Sequence, residues 1–315
     1  MSLIEDLLSG KKVALSRAIS IVENREEGYV SILKQIYPHL GHSHVIGFTG
    51  PPGVGKSSLI SSIAEKYLLQ GLKVGIIAID PTSPFSGGAV LGDRIRMESL
   101  KDSSNLFIRS MASRGGKGGL SKRTLDVIRL MDAFKMDKIL VETVGVGQGD
   151  VEIINIVDTS IVVLSPNLGD DIQTMKAGIL EIGDIFVVNK IDLTGGEEAV
   201  VYLLNMIKIG DYKEKKWVPL VIGTSTFNKV GIEDLISGIE THKKNMKENK
   251  NEDKNKKILL QDVSNIMDEY LLDKIQNILK NDPSAKILMD KVYNKEIDPY
   301  TASEQLLNKF YKIFE

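Results

Sequence analysis

The chain contains no cysteine and a single tryptophan. Without cysteine it can form no disulfide, no thiolate metal site and no cysteine nucleophile. It also lacks any apolar run that approaches the ~20 residues needed to span a bilayer. The first ten residues include Glu5 and Asp6 and lack the basic-then-apolar order of a signal peptide. These absences predict a cytoplasmic protein.

Charge of one sign is not in excess either. The formal net charge is −2 in 315 residues, so neither nucleic acid nor a membrane surface is expected as a partner. Apolar residues make up 42% of the chain and charged residues 26%, which is typical of a globular protein. A chain of this length can form one large α/β domain with helical extensions.

Residues 50–57 form a complete phosphate-binding loop, Gly-Pro-Pro-Gly-Val-Gly-Lys-Ser. The loop follows an apolar strand predicted at 45–48 and precedes a helix predicted at 57–67. Its glycines allow backbone N–H groups to approach phosphate oxygens, and the helix N-terminus adds partial positive charge. Lys56 is expected to reach the β- and γ-phosphates, and the Ser57 hydroxyl to hold Mg²⁺. The chain is therefore predicted to bind a nucleoside triphosphate.

The sequence Asn189-Lys-Ile-Asp192 follows a second buried run at 185–188. Asp192 offers two acceptor oxygens for the N1–H and N2–H₂ donors that guanine has and adenine lacks. Asn189 is expected to bond the base and nearby loops, and the stem of Lys190 to cover the face of the ring. A polar turn after a buried strand is the alternative. Downstream of a phosphate loop, the motif favours guanine.

Short β-branched runs alternate with helical stretches between residues 44 and 240. Several runs are apolar throughout, as in parallel strands covered on both faces, so the pattern predicts an α/β fold with a doubly wound, mostly parallel sheet. The predicted strands are 44–49, 73–79, 105–110, 138–142, 159–164, 185–188 and 218–223. Because every motif follows a strand, all are expected at the carboxyl edge of one sheet.

Helical patterns flank this region on both sides. Apolar residues recur at helical spacing within 3–37, with a break at Gly10, and again within 258–279. The Lys- and Asn-rich segment 242–257 is expected to be a solvated helix face or linker, and a capping-box match at Thr301–Glu304 predicts the start of a last helix. The predicted division is an N-terminal helical extension at 1–40, a P-loop GTPase domain at 41–241, and a C-terminal helical extension at 242–315. The C-terminal extension is expected to bury its apolar faces on the GTPase domain or, as a dimerisation element, on another subunit.

The apolar strand predicted at 138–142 ends in Glu142, at the place of the D-x-x-G element that senses the γ-phosphate. Glu142 is expected to hold Mg²⁺ through water, and Gly145 to donate its backbone N–H to the γ-phosphate. Gln148 is a candidate for orienting the attacking water. A surface amide on a loop is the equal alternative for Gln148.

Two further acids, Asp80 and Asp93, lie in a Pro- and Gly-rich segment that follows the strand predicted at 73–79. This composition suits a switch that orders around γ-phosphate and Mg²⁺, and both acids are candidates for the metal or the attacking water. A helix cap is the alternative for each. Hydrolysis is expected to be slow in isolation, because phosphoryl transfer needs positive charge beyond Lys56 and Mg²⁺. A partner could supply that charge, or one of three arginines could: Arg94, Arg96 or Arg114.

The candidate site residues fall into three groups. The expected catalytic residues are Lys56, Asp80, Glu142 and Gln148. The expected Mg²⁺ ligands are Ser57, Asp80, Asp93 and Glu142. The residues expected to contact GTP or GDP are Gly50, Pro51, Pro52, Gly53, Val54, Gly55, Lys56, Ser57, Ser58, Gly145, Asn189, Lys190, Asp192, Ser225 and Thr226.

Five segments occur together in the order found in one family. They are 47–57 (GFTGPPGVGKS), 80–88 (DPTSPFSGG), 107–114 (FIRSMASR), 142–148 (ETVGVGQ) and 189–192 (NKID). Together they resemble the GTPase chaperones that accompany adenosylcobalamin-dependent methylmalonyl-CoA mutase and related acyl-CoA mutases. The resemblance covers residues 3–240 well and the terminal helices loosely.

The resemblance implies a homodimeric GTPase that binds the mutase, gates delivery of adenosylcobalamin, assists release of damaged cofactor and protects the mutase from inactivation. It implies a third switch region at 165–176. The chain departs from the family at Gly149-Asp150, which bears on the surface that faces the partner, and at 223–226, which bears on contacts to guanine. The resemblance carries nucleotide-site roles onto Lys56, Ser57, Asp80, Asp93, Glu142, Asn189 and Asp192.

Two other functions are alternatives. A metallocentre-assembly GTPase is disfavoured by the absence of cysteine and by the placement of His39, His42 and His44 outside a helical frame. A nucleotide-dependent kinase linked to amino-acid transport is a label that relatives have carried. The N-K-x-D motif and the absence of protein-kinase elements in the sequence disfavour it.

Overall fold

The computed structural model describes residues 2–80, 103–112, 119–143, 156–166, 182–209, 217–249 and 252–314. Contacts divide the chain into two compact units, Met1–Asn249 and Lys250–Glu315. Several sequence predictions lie outside the described residues. They concern Asp93, Arg94, Arg96, Arg114, Gly145, Gln148, Gly149-Asp150 and most of the predicted third switch region.

The described part of the first unit contains a seven-stranded parallel sheet of order β3-β2-β4-β1-β5-β6-β7. Its strands are β1 (His44–Thr49), β2 (Val74–Asp80), β3 (Leu106–Ala112), β4 (Lys138–Glu142), β5 (Thr159–Leu164), β6 (Ile185–Asn189) and β7 (Leu220–Thr224). The central strands β1, β4, β5 and β6 are buried along their whole length, which explains their uninterrupted apolar sequences. The doubly wound parallel sheet predicted from the sequence is confirmed.

Helices cover both faces of this sheet. Within the described residues of the first unit they are α1 (Leu3–Leu8), α2 (Lys12–Glu23), α3 (Tyr29–Ile36), α4 (Lys56–Leu69), α5 (Gly119–Ala133), α6 (Gly196–Ile209) and α7 (Ile232–Glu248), with a 3₁₀ turn at Tyr37–His39. Helices α1 to α3 and α5 share one buried apolar cluster with the sheet residues Ile77 and Val141. Helices α4 and α7 bury their apolar sides against the opposite face, where Ile76 and Leu140 point. The phosphate-loop helix is therefore anchored in the main core.

The second unit contains α8 (Glu252–Asn281), α9 (Pro283–Tyr293) and α10 (Pro299–Phe314). The prediction that the last helix begins at the Thr301 capping box is wrong. The helix begins at Pro299, and the Asp298 carboxylate accepts hydrogen bonds from the backbone N–H groups of Tyr300 (2.9 Å) and Thr301 (3.0 Å). An Asp N-cap followed by proline at the first helical position starts the helix earlier. Among the described residues of either unit, no helix is both long and apolar enough to cross a membrane.

Candidate nucleotide-binding site

The phosphate loop joins the end of β1 to the start of α4. Gly50, Gly53 and Gly55 have φ values of +137°, +80° and +93°, a region that favours glycine. A Cβ at Gly50 would clash with the carbonyl oxygen of Val163 in β5, and a Cβ at Gly55 would lie 2.5 Å from Nδ2 of Asn189. The N-cap of α4 is Gly55, so no side chain caps the start of the helix, and its first backbone N–H groups are left for an anion to accept from.

Lys56 is buried, although it carries a charge. Its Nζ donates hydrogen bonds to the carbonyl oxygens of Gly50 (2.7 Å) and Pro51 (3.0 Å). These bonds hold the ammonium group inside the curve of the loop, where a phosphate anion would meet it. Of the other loop residues predicted to contact nucleotide, Val54 is buried, whereas Pro52, Gly53 and Ser58 are exposed.

Ser57 and Glu142 are brought together from different elements. Glu142 ends β4 beside Phe48 of β1, and the Ser57 hydroxyl donates to its Oε1 over 2.6 Å. Both side chains are buried. A hydroxyl and a carboxylate oxygen are hard ligands of the kind that Mg²⁺ prefers, so this pair fits the ion. The backbone of Asp80 ends β2, next to β4, and therefore lies at the same edge of the sheet.

The N-K-x-D segment contacts the phosphate loop directly. Asn189 is completely buried, and its Nδ2 donates to the carbonyl of Val54 over 2.8 Å. Lys190 has a positive φ of 63°, and its Nζ donates to the carbonyl of Gly53 over 2.7 Å. The two motifs, which are more than 130 residues apart in the chain, thus form one continuous site.

Asp192 is held by the segment that follows β7. The Ser225 hydroxyl donates to its Oδ1. The Ser225 backbone in turn exchanges two 3.0 Å hydrogen bonds with Val230, and the Asn228 N–H donates to the Ser225 hydroxyl over 3.1 Å. These bonds close residues 226–229, which include the half-buried Thr226, into a tight loop. The contact of Ser225 and Thr226 with a base stays a prediction.

Sequence reasoning missed two supports of this site. The buried Thr224 hydroxyl donates to Oδ1 of Asn189 over 3.1 Å, which fixes the orientation of the Asn189 amide. The backbone of Val163 lies against Gly50. Thr224 belongs to the segment 223–226, which the sequence analysis relates to guanine contacts. No sequence pattern, however, indicates that the hydroxyl of Thr224 bonds Asn189. No signal in the sequence identifies Val163.

A second polar cluster lies at the opposite, amino edge of the sheet. His44 Nε2 lies 2.9 Å from Thr159 Oγ1, which lies 2.9 Å from His242 Nδ1. Lys138 Nζ donates to Glu240 (2.5 Å) and lies 3.3 Å from His44 Nδ1. Burial, followed by the charge of Lys138, lowers the pKa of His44 to about 2. Burial also lowers the pKa of Lys138, against the opposing effect of Glu240.

This cluster joins the amino ends of β1, β4 and β5 to α7, away from the phosphate loop. The two ring nitrogens of His44 contact Thr159 and Lys138, and Nε2 of His242 contacts Asp184. Among the described residues, no group of three or more histidines and acids is arranged to hold a metal ion. The cluster is therefore a structural tie between strands and helix.

Three comparisons place the chain among known proteins. A family model described as "Methylmalonyl Co-A mutase-associated GTPase MeaB" matches residues 15–280. A protein of Pyrococcus abyssi named as a GTPase is 42% identical over 312 residues, covering 98% of this chain and 95% of the relative. The mitochondrial methylmalonic aciduria type A homolog of Caenorhabditis elegans is 29% identical over 334 residues, covering 99% and 83%. A crystal structure described as LAO/AO transport system kinase aligns with a TM-score of 0.70 and 25% identity, covering 98% and 96%.

Proposed function

Because the chain belongs to the methylmalonyl-CoA mutase-associated GTPase family, we propose that this GTPase is a chaperone for an adenosylcobalamin-dependent acyl-CoA mutase. In this role it gates cofactor loading of the mutase and protects it from inactivation. The mutase in question is methylmalonyl-CoA mutase, the enzyme in the family's description. The proposal depends on the family match over residues 15–280, which extends well beyond the phosphate loop alone.

In the proposed site, GTP lies across the junction between the phosphate loop and the N-K-x-D segment. Lys56 and the first N–H groups of α4 bind the β- and γ-phosphates. Asp192 accepts from the N1–H and N2–H₂ groups of guanine, and Ser225 orients its carboxylate. The contacts of Asn189 and Lys190 with the loop support this placement, because one nucleotide must reach both motifs.

Mg²⁺ is part of the proposal. Ser57 and Glu142 would hold it, with Asp80 and Asp93 as further candidates; the ion would neutralise charge on the β- and γ-phosphates. Asp80 and Gln148 are the proposed residues for positioning the attacking water. Because phosphoryl transfer needs positive charge beyond that of Lys56 and Mg²⁺, we expect slow hydrolysis until Arg94, Arg96, Arg114 or the partner supplies it.

The proposal includes a homodimer formed through the C-terminal helices. Within the described part of the second unit, large apolar side chains are widely exposed, for example Leu260 (70%), Met267 (59%) and Tyr293 (88%). Burying such side chains between subunits is favourable, at ~25 cal/mol per Å² of apolar area. Sedimentation equilibrium tests this point: Leu260→Lys combined with Met267→Lys should shift a dimer to monomer. A wild-type monomer at micromolar concentration would contradict it.

Nucleotide-dependent capture tests the partner. Immobilised chain is incubated with purified methylmalonyl-CoA mutase without nucleotide, with GDP, or with a non-hydrolysable GTP analogue. We expect capture whose strength differs between the nucleotide states, and loss of that difference in Lys56→Ala. No capture in any state would refute the mutase proposal while leaving the GTPase assignment intact.

The same preparation distinguishes hydrolysis from phosphoryl transfer to another acceptor. GTP labelled at the γ-phosphate should yield inorganic phosphate in proportion to the GDP formed. Label recovered on an amino acid or on a transport protein would favour the kinase alternative instead. GTP-dependent delivery of nickel by this chain to an apo-enzyme would favour the metallocentre-assembly alternative.

A further inference from the structure

Phe227 lies at the tip of the loop that follows β7, and 87% of its surface is exposed. Hydrogen bonds close the loop around it. Ser225 and Val230 exchange two backbone hydrogen bonds of 3.0 Å, and the Asn228 N–H donates to the Ser225 hydroxyl over 3.1 Å. This arrangement leaves an aromatic ring exposed on a hydrogen-bonded turn, where it is available to pack against a ligand.

The same loop is bonded to the carboxylate proposed to read guanine. Strands β6 and β7 are paired with Asn189 opposite Thr224, and one residue further along β7 the Ser225 hydroxyl donates to Asp192. Two residues of chain span at most about 7 Å, so the backbone of Phe227 lies within that distance of Ser225. The backbone of Phe227 is therefore close enough to Asp192 for a rotamer of its side chain to place the phenyl ring on a base held there.

A base bound there has two faces to cover. Lys190 can cover one with its aliphatic stem, because its Nζ is held by the carbonyl of Gly53 at the phosphate loop. Among the described residues near Asp192, Phe227 supplies an exposed apolar ring. Aromatic rings stack on nucleobases whichever base is present, since every base has a π-face.

We propose that Phe227 stacks on the guanine base and forms the second cover of the base pocket. This inference rests on the proposed nucleotide site and adds a division of roles to it. Asp192 selects guanine through hydrogen bonds, whereas Phe227 adds affinity for any purine nucleotide. In this arrangement the Phe227 ring contacts the base and not the phosphates.

Calorimetric titration of Phe227→Ala and Phe227→Trp with GDP, IDP and tripolyphosphate tests this proposal. Phe227→Ala should weaken GDP and IDP by a similar factor, about tenfold, and leave tripolyphosphate binding unchanged. Phe227→Trp should retain GDP affinity and show GDP-dependent quenching beyond that of Trp217 in the wild type. Leu69→Ala is the matched control, because Leu69 is an apolar side chain 76% exposed at the far end of α4.

The outcomes separate this inference from the proposed function. A GDP affinity of Phe227→Ala within twofold of the wild type overturns the stacking role, provided that the wild type binds GDP. Equal losses for GDP and tripolyphosphate also overturn it, because they show damage to the loop rather than loss of a base contact. Failure of the wild-type chain to bind GDP would refute the nucleotide site itself.

Discussion

The side-chain amide of Asn189 donates a hydrogen bond to the backbone carbonyl of Val54 over 2.8 Å. Val54 belongs to the phosphate loop, and Asn189 belongs to the segment proposed to read the base. The Asn189 amide is buried, and the Thr224 hydroxyl fixes its orientation by donating a hydrogen bond to Oδ1. The segments proposed to recognise the base and to bind the phosphates are therefore joined by a direct hydrogen bond, and a change in either segment is expected to affect the other.

Asn189→Ala should weaken both stability and nucleotide binding. The substitution removes two buried hydrogen bonds, each worth about 1 kcal/mol net, so the free energy of unfolding should fall by about 1–3 kcal/mol. GTP affinity should fall at least tenfold, because the phosphate loop loses its hydrogen bond from Asn189 to the Val54 carbonyl. Urea unfolding and calorimetry measure the two effects, with the exposed Asn24→Ala as control. An unchanged GTP affinity in Asn189→Ala would show that the hydrogen bond between Asn189 and Val54 is unimportant for nucleotide binding.

Gly50→Ala should abolish GTP hydrolysis and lower the melting temperature markedly. The added Cβ meets the carbonyl of Val163 at a φ of +137°, so the loop cannot keep its path beside β5. Gly71→Ala is the matched control. Gly71 has a φ of +80° with open space around it, so the control carries backbone strain without a clash. Equal effects of the two substitutions on GTPase rate would argue against the close approach of the loop to β5.

Asp192→Asn should shift base preference from guanine toward xanthine. The new amide can donate to the C2 carbonyl of xanthine but offers only one acceptor to guanine. Competition of GTP and XTP for the wild type and the variant measures the shift. Ser225→Ala, which removes the bond to Asp192, should weaken GTP binding without creating a xanthine preference. Equal competition by ATP and GTP in the wild type would contradict the role of Asp192.

Glu142→Gln should raise the Mg²⁺ concentration needed for half-maximal GTPase activity. The amide oxygen can still accept from the Ser57 hydroxyl, so the fold should survive, whereas the charge that would attract the cation is lost. We expect at least a tenfold lower turnover at low Mg²⁺ and near-normal GDP affinity in EDTA. An unchanged Mg²⁺ dependence would remove Glu142 from the proposed metal site.

His44 should make the protein less stable as the pH falls. The buried ring has its pKa lowered to about 2, whereas an unfolded histidine titrates near 6.5. Between these values the unfolded state binds the extra proton, so the free energy of unfolding falls by up to about 1.4 kcal/mol per pH unit as the pH drops below 6.5. His44→Gln should show a shallower dependence in urea unfolding from pH 7 to 4.

Thr159→Val is the control for His44. It removes the hydroxyl that contacts both His44 and His242, so stability should fall at every pH. The His44 ring stays buried in this variant, and the slope against pH should therefore resemble that of the wild type. A His44→Gln slope equal to the wild-type slope would mean that the acid sensitivity arises elsewhere.

Several sequence predictions succeeded because they depend on local pattern. The strand bounds predicted from apolar runs lie within two residues of those observed, since a strand buried on both faces leaves a continuous apolar signal. The last helix shows the limit of this approach. The Thr-x-x-Glu match at 301–304 predicts a start at Thr301, whereas the helix begins at Pro299, because the Asp298 carboxylate accepts from two N–H groups and proline favours the first helical position.

The sequence alone determined the parallel α/β fold, the phosphate loop and the membership of a GTPase family, because these depend on residue types at short spacing. The tertiary structure decided which distant residues touch: Asn189 on Val54, Lys190 on Gly53, Ser57 on Glu142 and Ser225 on Asp192. It also showed that the Phe227 side chain is exposed, in the loop that bonds Asp192 through Ser225. Such contacts depend on strand order and register across the sheet, which bring the ends of β1, β4, β6 and β7 to one edge and which no local pattern encodes.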